Sequence, residues 1–242
     1  MVLGLFGDPV KRKEKQIQKH LKNLKQPYAQ PEIRRESMEA LLKMEDIDSL
    51  KALLERFSYN CDGNISDESE KKDLIAELVK KGDKSIIPLK EYIAKSEKIV
   101  HASEALKQII GDSAFREFII QVLQKFDPDD HASAARKIQI ISLIAEMKEP
   151  ELAKYLYPFS RDFHDDVRFI TIEAIEKIAD KEAKSFLLPI ITSDEASIRV
   201  QLRAAQALFQ LKLDVRELKN NMSEIVAKEF VIDSKGKFQK RV

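Results

Sequence analysis

The amino-acid sequence predicts an all-α fold, and three observations support this prediction. Apolar residues recur at helical spacing along almost the whole chain. The 242 residues include only 6 Gly and 8 Pro, so few positions interrupt a helix. Strand-like alternation of apolar and polar residues begins only at about residue 229. With 43% hydrophobic and 34% charged residues, the chain can form a long core and keep charged helix faces in solvent.

The N-terminal part of the chain reads as three helices. The first, residues 10–25, is basic and amphipathic, and its apolar stripe consists of Ile17, Leu21 and Leu24. A second helix is expected from about Glu32 to Met44. Four apolar residues at helical spacing predict a third within DIDSLKALLERF, residues 46–57.

A polar loop, SYNCDGNIS, separates these helices from the next one. Asp67 ends the loop, and Glu70 three positions later completes the pattern of a capping box. A helix is therefore expected to start just after Asp67 and to end at Gly82, a residue type that commonly terminates helices.

Eight further helices are predicted before the C-terminal tail. They are expected at about 84–95, 98–110, 113–126, 131–147, 150–159, 166–179, 181–192 and 197–211. Residues 229–242 differ in character, because apolar residues flank a turn that contains Gly236. This pattern favours a short β-hairpin, with a frayed end as the alternative.

The sequence repeats itself at a fixed offset. Val167-Arg168 corresponds to Ile198-Arg199, and Pro158 corresponds to Pro189 at the same separation along the chain. Stacked helix pairs must repeat in this way, whereas a closed bundle need not. Residues 1–228 are therefore expected to form a right-handed α-α superhelix, a solenoid of about five to six helix pairs, with the first helix as its cap.

The helices of this repeat begin with recognisable capping residues. Asp166 and Ser197 are the expected N-caps, and Asp165 adds a negative charge near the helix N-terminus. Ala174 and Ala205 are small where neighbouring helices would approach closely. In the helix predicted at 166–179, one face consists of Val167, Ile170, Thr171, Ala174 and Ile178, and charged residues point away from it.

The pattern resembles the HEAT-repeat family, in particular the short repeats of roughly 30 residues that are related to those of phycobilisome lyases. In that family the first helix of a pair carries a proline, an Asp-rich turn follows, and the second helix opens with Val-Arg. The resemblance covers about residues 10–211 and is most specific at 158–210. The lead-in GLFGDPVKRKEKQI and the tail FVIDSKGKFQKRV are similar to the ends of uncharacterised bacterial HEAT-repeat proteins.

No residue pattern predicts a catalytic, cofactor or metal site. His164-Asp165-Asp166 and Asp129-Asp130-His131 contain metal-ligating residue types, but both precede predicted helices, where acidic residues are expected to act as caps. Cys61 lies in a polar loop with no histidine nearby in sequence, so an unreactive thiol is expected. Phosphate-binding loops and known catalytic motifs are absent from the sequence.

The leading functional hypothesis is a non-catalytic scaffold that binds a protein partner on the concave face of the solenoid. The residues expected to contact the partner point outward from the repeat: Phe169, Glu173, Glu176, Lys177 and, on the next repeat, Arg203. An enzyme of the bilin-lyase type is an alternative that the resemblance alone suggests.

A second alternative is binding of nucleic acid or an anionic surface through the first helix. Residues 1–25 contain seven basic and two acidic residues, whereas the body of the chain is acidic. The expected contacts are Lys11, Arg12, Lys13, Lys15 and Lys19. A solvated cap at the end of the solenoid explains the same charge without any ligand.

The sequence predicts a cytoplasmic protein without a membrane span. A single cysteine fits a reducing compartment, and the start of the chain lacks the charge order of a signal peptide. No segment approaches the roughly 18 apolar residues of a membrane-spanning helix.

Overall fold

The structure, a computed structural model, describes residues 8–26, 28–61 and 63–241. Most of these residues are helical, and a small two-stranded antiparallel sheet follows the helices, so the predicted all-α class is confirmed. The helices are α1 (Pro9–Leu24), α2 (Pro31–Met44), α3 (Ile47–Leu54), α4 (Asn64–Lys81), α5 (Asp83–Lys95), α6 (Val100–Leu123), α7 (Ala134–Met147), α8 (Ala153–Leu156), α9 (Asp165–Ile178), α10 (Lys184–Ile191), α11 (Ile198–Gln210) and α12 (Glu224–Glu229).

The chain divides into two compact units, Met1–Phe115 and Arg116–Val242. Residues 4–7 of the predicted lead-in and residue 242 of the tail lie outside the described residues. None of the helices within the described ranges is both long enough and apolar enough to cross a lipid bilayer.

In the first unit, the start of α4 differs from its prediction. The helix begins at Asn64 after Gly63, so Asp67 and Glu70 lie inside it rather than at its N-cap. Both residues are buried, with 3% and 4% of their surfaces exposed. The predicted capping box is therefore wrong, because these carboxylates face arginines of other elements instead of the N–H groups of the first helical turn.

Gly111 interrupts α6 at the predicted break between two helices. Its backbone adopts φ 80° and ψ 166°, a conformation that residues with a Cβ rarely take. Two helical segments therefore meet at a kink at Gly111 within α6.

In the second unit, the proline-containing helices are shorter than predicted. The expected helix at 150–159 is α-helical only in α8, between 3₁₀ turns at Pro150–Leu152 and Tyr157–Arg161. Proline lacks an N–H donor, which favours the 3₁₀ turns at Pro150 and Pro158, although Pro189, the match of Pro158, lies inside α10. The expected helix at 181–192 similarly opens with a 3₁₀ turn, Lys181–Ala183, before α10.

The sequence offset that relates Pro158 to Pro189 also relates the cores of the short helices. Four of the five buried positions around α8 are matched, at this offset, by buried positions around α10; the exception is Ala153, whose match Lys184 is partly exposed. The matching buried pairs are Leu152 and Ala183, Leu156 and Leu187, Phe159 and Ile190, and Ser160 and Ile191. The proline match in the sequence therefore marks corresponding positions in the structure.

In the long helices that follow, the separation between corresponding buried positions is larger than this offset. Val167 and Val200 are both fully buried, whereas Ile198, the sequence match of Val167, is 56% exposed. Six residues (192–197) connect the last buried residue of the short helix, Ile191, to the start of α11. Only four residues (161–164) connect the corresponding Ser160 to the start of α9. Because this turn is two residues longer, Val167-Arg168 and Ile198-Arg199 do not occupy equivalent positions.

Only one of the two predicted N-caps is present. The hydroxyl of Ser197 accepts a hydrogen bond from the backbone N–H of Val200, as a capping residue should. For α9 the N-cap position belongs to His164, whose side chain makes no capping bond, and Asp166 lies within the first turn. Asp166 is therefore not a cap; its carboxylate pairs instead with Arg199.

A β-hairpin is present in the C-terminal tail, as predicted. Strand β1 (Phe230–Ile232) pairs antiparallel with β2 (Phe238–Lys240). The rings of Phe230 and Phe238 are buried with centroids 5.2 Å apart, and Phe209 of α11 lies 6.0 Å from Phe230. The hairpin thus packs its aromatic face against the last long helix.

Candidate functional site

The five predicted partner-binding residues all lie on one surface of the second unit, formed by α7, α9 and α11. Phe169 is only partly exposed, because the guanidinium carbons of Arg199 and Arg203 lie 4.2 Å and 5.8 Å from its ring centroid. Stacking of guanidinium groups on an aromatic ring is favourable and holds all three side chains in place. The expectation of a freely exposed phenylalanine is therefore corrected to an arginine-flanked ring.

Helix α9 buries residues that do not belong to its predicted apolar face. Ile172 and Ile175, which lie beside that face, are fully buried. They are covered because α9 packs against both α7 and α11. Only a narrow outward strip of α9 is left for contact with another molecule.

Ion pairs connect this strip to both neighbouring helices. Arg203 of α11 donates to Glu176 of α9 at 2.7 Å. Lys177 of α9 pairs with Glu146 of α7. Three of the predicted residues are thus already paired within the chain. The Lys177–Glu146 pair is exposed, and such pairs contribute only about 0–1 kcal/mol and can exchange for a partner's charges. The Arg203–Glu176 pair is partly buried, with 11% and 26% of its side chains exposed.

A pocket of about 210 Å³ lies between α7 and α9 on the same surface. Its lining consists of Ser142, Ala145, Glu146, Ile170, Glu173, Ala174 and Lys177. Glu173 is exposed at this pocket and forms no ion pair with any residue that the structure describes. The pocket therefore combines an apolar base with one uncompensated carboxylate.

The predicted basic residues lie along α1 in the first unit, and all of them are exposed. At 100° per residue, Lys11, Lys15, Lys19 and Lys22 fall within roughly 80° of one another, opposite the buried Ile17 and Leu24. Lys13 lies on another side of the helix, where its amino group is 2.9 Å from Asp46. The structure thus arranges four lysines as a stripe rather than the five predicted residues as a patch.

A cleft between α2 and α4 was not predicted from the sequence. It has a volume of about 500 Å³ and an apolar floor that contains Met38, Leu42 and Leu74. Arg34 of α2 hydrogen-bonds Glu70 of α4 beside it, at 3.0 and 2.7 Å. In the sequence, the only signal for this contact is that Arg34 lies on the apolar stripe of its helix. A charged residue at such a position requires a partner of opposite charge when it is buried.

Five charged side chains form a buried cluster next to this cleft: Arg34, Arg56, Asp67, Glu70 and Lys71. Arg56 donates to Glu70 at 3.0 Å and also pairs with Asp67, whose second oxygen accepts from Lys71 at 2.6 Å. Burial by itself would raise the pKa of Asp67, but hydrogen bonds from Lys71 and Arg56 outweigh it and hold that pKa well below its usual range. The carboxylate of Asp67 therefore stays ionised, and the cluster links α2, the 3₁₀ turn Glu55–Ser58 that follows α3, and α4.

Cys61 borders the same cluster and is 5% exposed. Burial raises the pKa of its thiol, although Arg56 and Arg34 act in the opposite direction. A thiol of this kind is protonated at neutral pH, which favours the unreactive role expected from the sequence.

The two histidine-containing segments meet in the second unit. The ring centroids of His131 and Phe163 are 3.6 Å apart, and His164 hydrogen-bonds the carbonyl oxygen of His131 through Nε2 at 2.7 Å. Within the described part of the chain, no three His, Cys, Asp or Glu residues are grouped to hold a metal ion. The carboxylates of Asp130 and Asp162 accept hydrogen bonds from nearby backbone N–H groups and so stabilise turns.

No protein-family model matches this chain, and no curated protein matches its sequence. The likeness to HEAT repeats therefore depends on the residue patterns of the chain itself and stays a prediction. The assignment of function depends in the same way on the surfaces and contacts described above.

Proposed function

We propose that the protein is a non-catalytic interaction scaffold, a HEAT-like α-solenoid that binds a partner protein through the surface of α7, α9 and α11. The solenoid part of the proposal is supported by ion pairs that join residues about one repeat apart in the chain. Lys177 is 31 residues from Glu146, and Arg199 is 33 residues from Asp166. Contacts at this separation are what stacking of successive helix pairs produces.

The observation that carries the binding proposal is the arginine-flanked ring of Phe169 beside the uncompensated Glu173. Aromatic residues and arginines contribute most to the affinity of protein interfaces. The stacking of Arg199 and Arg203 holds this ring before any partner arrives, so little conformational entropy is lost on binding. Glu173 adds a charge that a partner can neutralise without breaking an existing pair.

Affinity capture with defined variants tests this surface. Phe169→Ala and Glu173→Lys should each reduce recovery of the captured partner at least about tenfold, the effect of losing one strong interface contact. Glu182→Lys makes the same charge change at an exposed position of the second unit, outside this surface, and should leave recovery unchanged. Equal recovery with all three variants would exclude the α7, α9 and α11 surface as the binding site.

Binding of an anionic partner through α1 is the second candidate function, and the lysine stripe favours it. Four lysines opposite the buried face can contact successive phosphates without unfolding the helix. Gel-shift assays with duplex DNA and sedimentation with phosphatidylserine vesicles, at low and moderate salt, distinguish nucleic acid from a membrane surface.

The matched variants for this test carry three charge reversals each. Lys11→Glu, Lys15→Glu and Lys19→Glu together should abolish binding. Lys72→Glu, Lys95→Glu and Lys98→Glu change the same net charge at exposed positions elsewhere in the first unit and should retain it. No binding by the wild-type protein at low salt would remove this candidate.

A further inference from the structure

Side chains hold the cleft between α2 and α4 open at both ends. Arg34 binds Glu70 at one end, and Lys81 pairs with Glu45 at 3.3 Å at the other. The two links are 11 residues apart on each helix (34 to 45 and 70 to 81), which corresponds to roughly 16 Å. The helices therefore run parallel and in register, and long side chains separate their backbones along this length.

A second cavity, lined by both polar and apolar residues, adjoins the main cleft. It has a volume of about 850 Å³, shares Arg35 and Glu70 with the first and is also lined by Pro31 and Ile65. Ile65 is 91% exposed, the largest exposed fraction among the large hydrophobic side chains that the structure describes. The accessible apolar side chains thus lie at the two ends of the opening, Leu42 in the main cleft and Ile65 in the second cavity. Between them Met38 and Leu74 are only 7% and 2% exposed.

The two walls of the cleft differ in charge. On the α4 side, Glu70 is already bound by Arg34 and Arg56. The accessible carboxylates of this wall are those of Asp73 and Glu77, and Glu77 pairs only with the exposed Lys80, at 3.7 Å. The one cation among the lining residues of α4, Lys81, is paired with Glu45. Asp73 is exposed and has no ion-pair partner among the described residues. On the α2 side, Arg35 and Lys43 offset Glu39 and Glu45. The α4 wall is therefore acidic, and the α2 wall is mixed.

We infer that this cleft binds an amphipathic α-helix of a partner protein, with apolar anchors on the floor and lysines or arginines along the acidic α4 wall. A helix satisfies its own backbone N–H and C=O groups, so it can lie above the apolar floor without taking hydrogen bonds from the charged walls. Anchors at positions i, i+4 and i+7 span roughly 10 Å, which fits between the two links.

Labelled synthetic helices test the inference by fluorescence anisotropy. The probes are helical peptides with leucine, isoleucine or phenylalanine anchors at i, i+4 and i+7 and lysines along one flank, and a matched set has glutamates in place of the lysines. The full-length protein should bind at least one lysine peptide and bind its glutamate counterpart at least about tenfold more weakly. The double variant Asp73→Lys with Glu77→Lys should reduce binding of the lysine peptide about tenfold or more and reverse the preference.

Two further variants separate this site from general electrostatic attraction. Leu42→Ala should weaken binding without changing any charge, since it shortens an anchor contact on the floor. Glu36→Lys alters an exposed residue of α2 that does not line the cleft, and it should change the affinity by less than about twofold. Circular dichroism of each variant shows whether the helices are intact.

The inference is overturned if no lysine peptide binds, if the glutamate peptides bind equally well, or if Glu36→Lys weakens binding as much as the α4 double variant does. It is also overturned if sedimentation shows a dimer that the α4 double variant dissociates, because a second copy of the chain would then occupy the cleft. The α7, α9 and α11 surface takes no part in these measurements, so their outcome is independent of the proposed scaffold function.

Discussion

Lys137 and Asp162 form an ion pair of 2.7 Å in which neither side chain exposes any surface to solvent. The amino group of Lys137 also donates to the carbonyl oxygens of Asp130 at 2.9 Å and Pro128 at 3.3 Å, so each of its three protons has an acceptor. Asp162 accepts a further bond from the backbone N–H of His164 at 3.0 Å. The pair therefore connects the core face of α7 to the turn that starts α9.

Removal of Lys137 should leave Asp162 as an uncompensated buried charge. Lys137→Ala is expected to lower the free energy of unfolding by about 3–5 kcal/mol, measured by urea denaturation followed by circular dichroism. Lys154→Ala removes an exposed lysine from the same unit and should cost less than about 0.5 kcal/mol. Similar costs for the two variants would show that the buried pair does not hold this turn.

The low pKa of Asp67 predicts a loss of stability in acid. The unfolded chain takes up its proton near pH 3.9, the approximate pKa of a free aspartate, while the folded cluster keeps the carboxylate ionised to lower pH. Its contribution is therefore complete above that pH and is lost as the pH falls towards the folded pKa.

Asp67→Asn should be less stable than the wild type at pH 7 and should lose less stability on acidification. Urea denaturation at neutral pH and at several acidic pH values measures both effects. Asp73→Asn changes an exposed aspartate of the same helix and should keep the acid dependence of the wild type. If Asp67→Asn loses as much stability on acidification as the wild type, the Asp67 carboxylate does not contribute to the acid dependence.

Ser197, the N-cap of α11, should contribute more to stability than Ser133, the serine at the N-cap position of α7. Ser197→Ala removes the bond to the N–H of Val200 and is expected to cost about 1 kcal/mol in urea denaturation. Ser133 occupies the N-cap position of α7 without making a capping bond, and its side chain hydrogen-bonds the solvent-accessible carboxylate of Asp130 instead, so Ser133→Ala should cost clearly less. An equal cost for both would contradict the assignment of Ser197 as the cap.

Gly236 in the hairpin turn should not tolerate a side chain. Its φ of 79° is unfavourable for other residues by about 1–2 kcal/mol. An added Cβ would also lie only 2.5 Å from Cγ of Arg216. Gly236→Ala should therefore lower the melting temperature and increase proteolysis of the tail.

Two variants separate the backbone effect from the clash. Gly82→Ala places a Cβ at a residue that also has a positive φ but has nothing within 4 Å, so only backbone strain is expected. Arg216→Ala in the Gly236→Ala background should recover part of the lost stability. No recovery would show that contact with Arg216 is not the cause.

Much of the helical organisation could be predicted because it depends on nearby residues. The break at Gly111, the cap at Ser197 and the hairpin around Gly236 each follow from a backbone preference or a bond within a few positions. The short 3₁₀ segments around α8 were missed because a proline is tolerated in one helix and interrupts another: Pro189 lies inside α10, whereas Pro158 lies in a 3₁₀ turn.

The candidate sites were predicted less completely. Helical spacing placed Phe169 on an outward strip, but the arginines that flank it come from α11. The spacing of Asp67 and Glu70 fits a capping box at a helix N-terminus and also fits two residues on the inner face of a helix. Only the arginines of other elements, which bind these carboxylates, favour the inner face. A local pattern cannot decide between two such roles.

By itself the sequence determined where the chain forms helices, because the apolar spacing and turn residues that make a helix or end it lie within a few positions of each other. The tertiary structure decided which charged residues are buried together and where a cleft stays open. Arg34 and Glu70 are 36 residues apart, and Lys137 and Asp162 are 25 apart. A buried charge is stable only beside its partner, and the chain brings those partners together only when its helices pack.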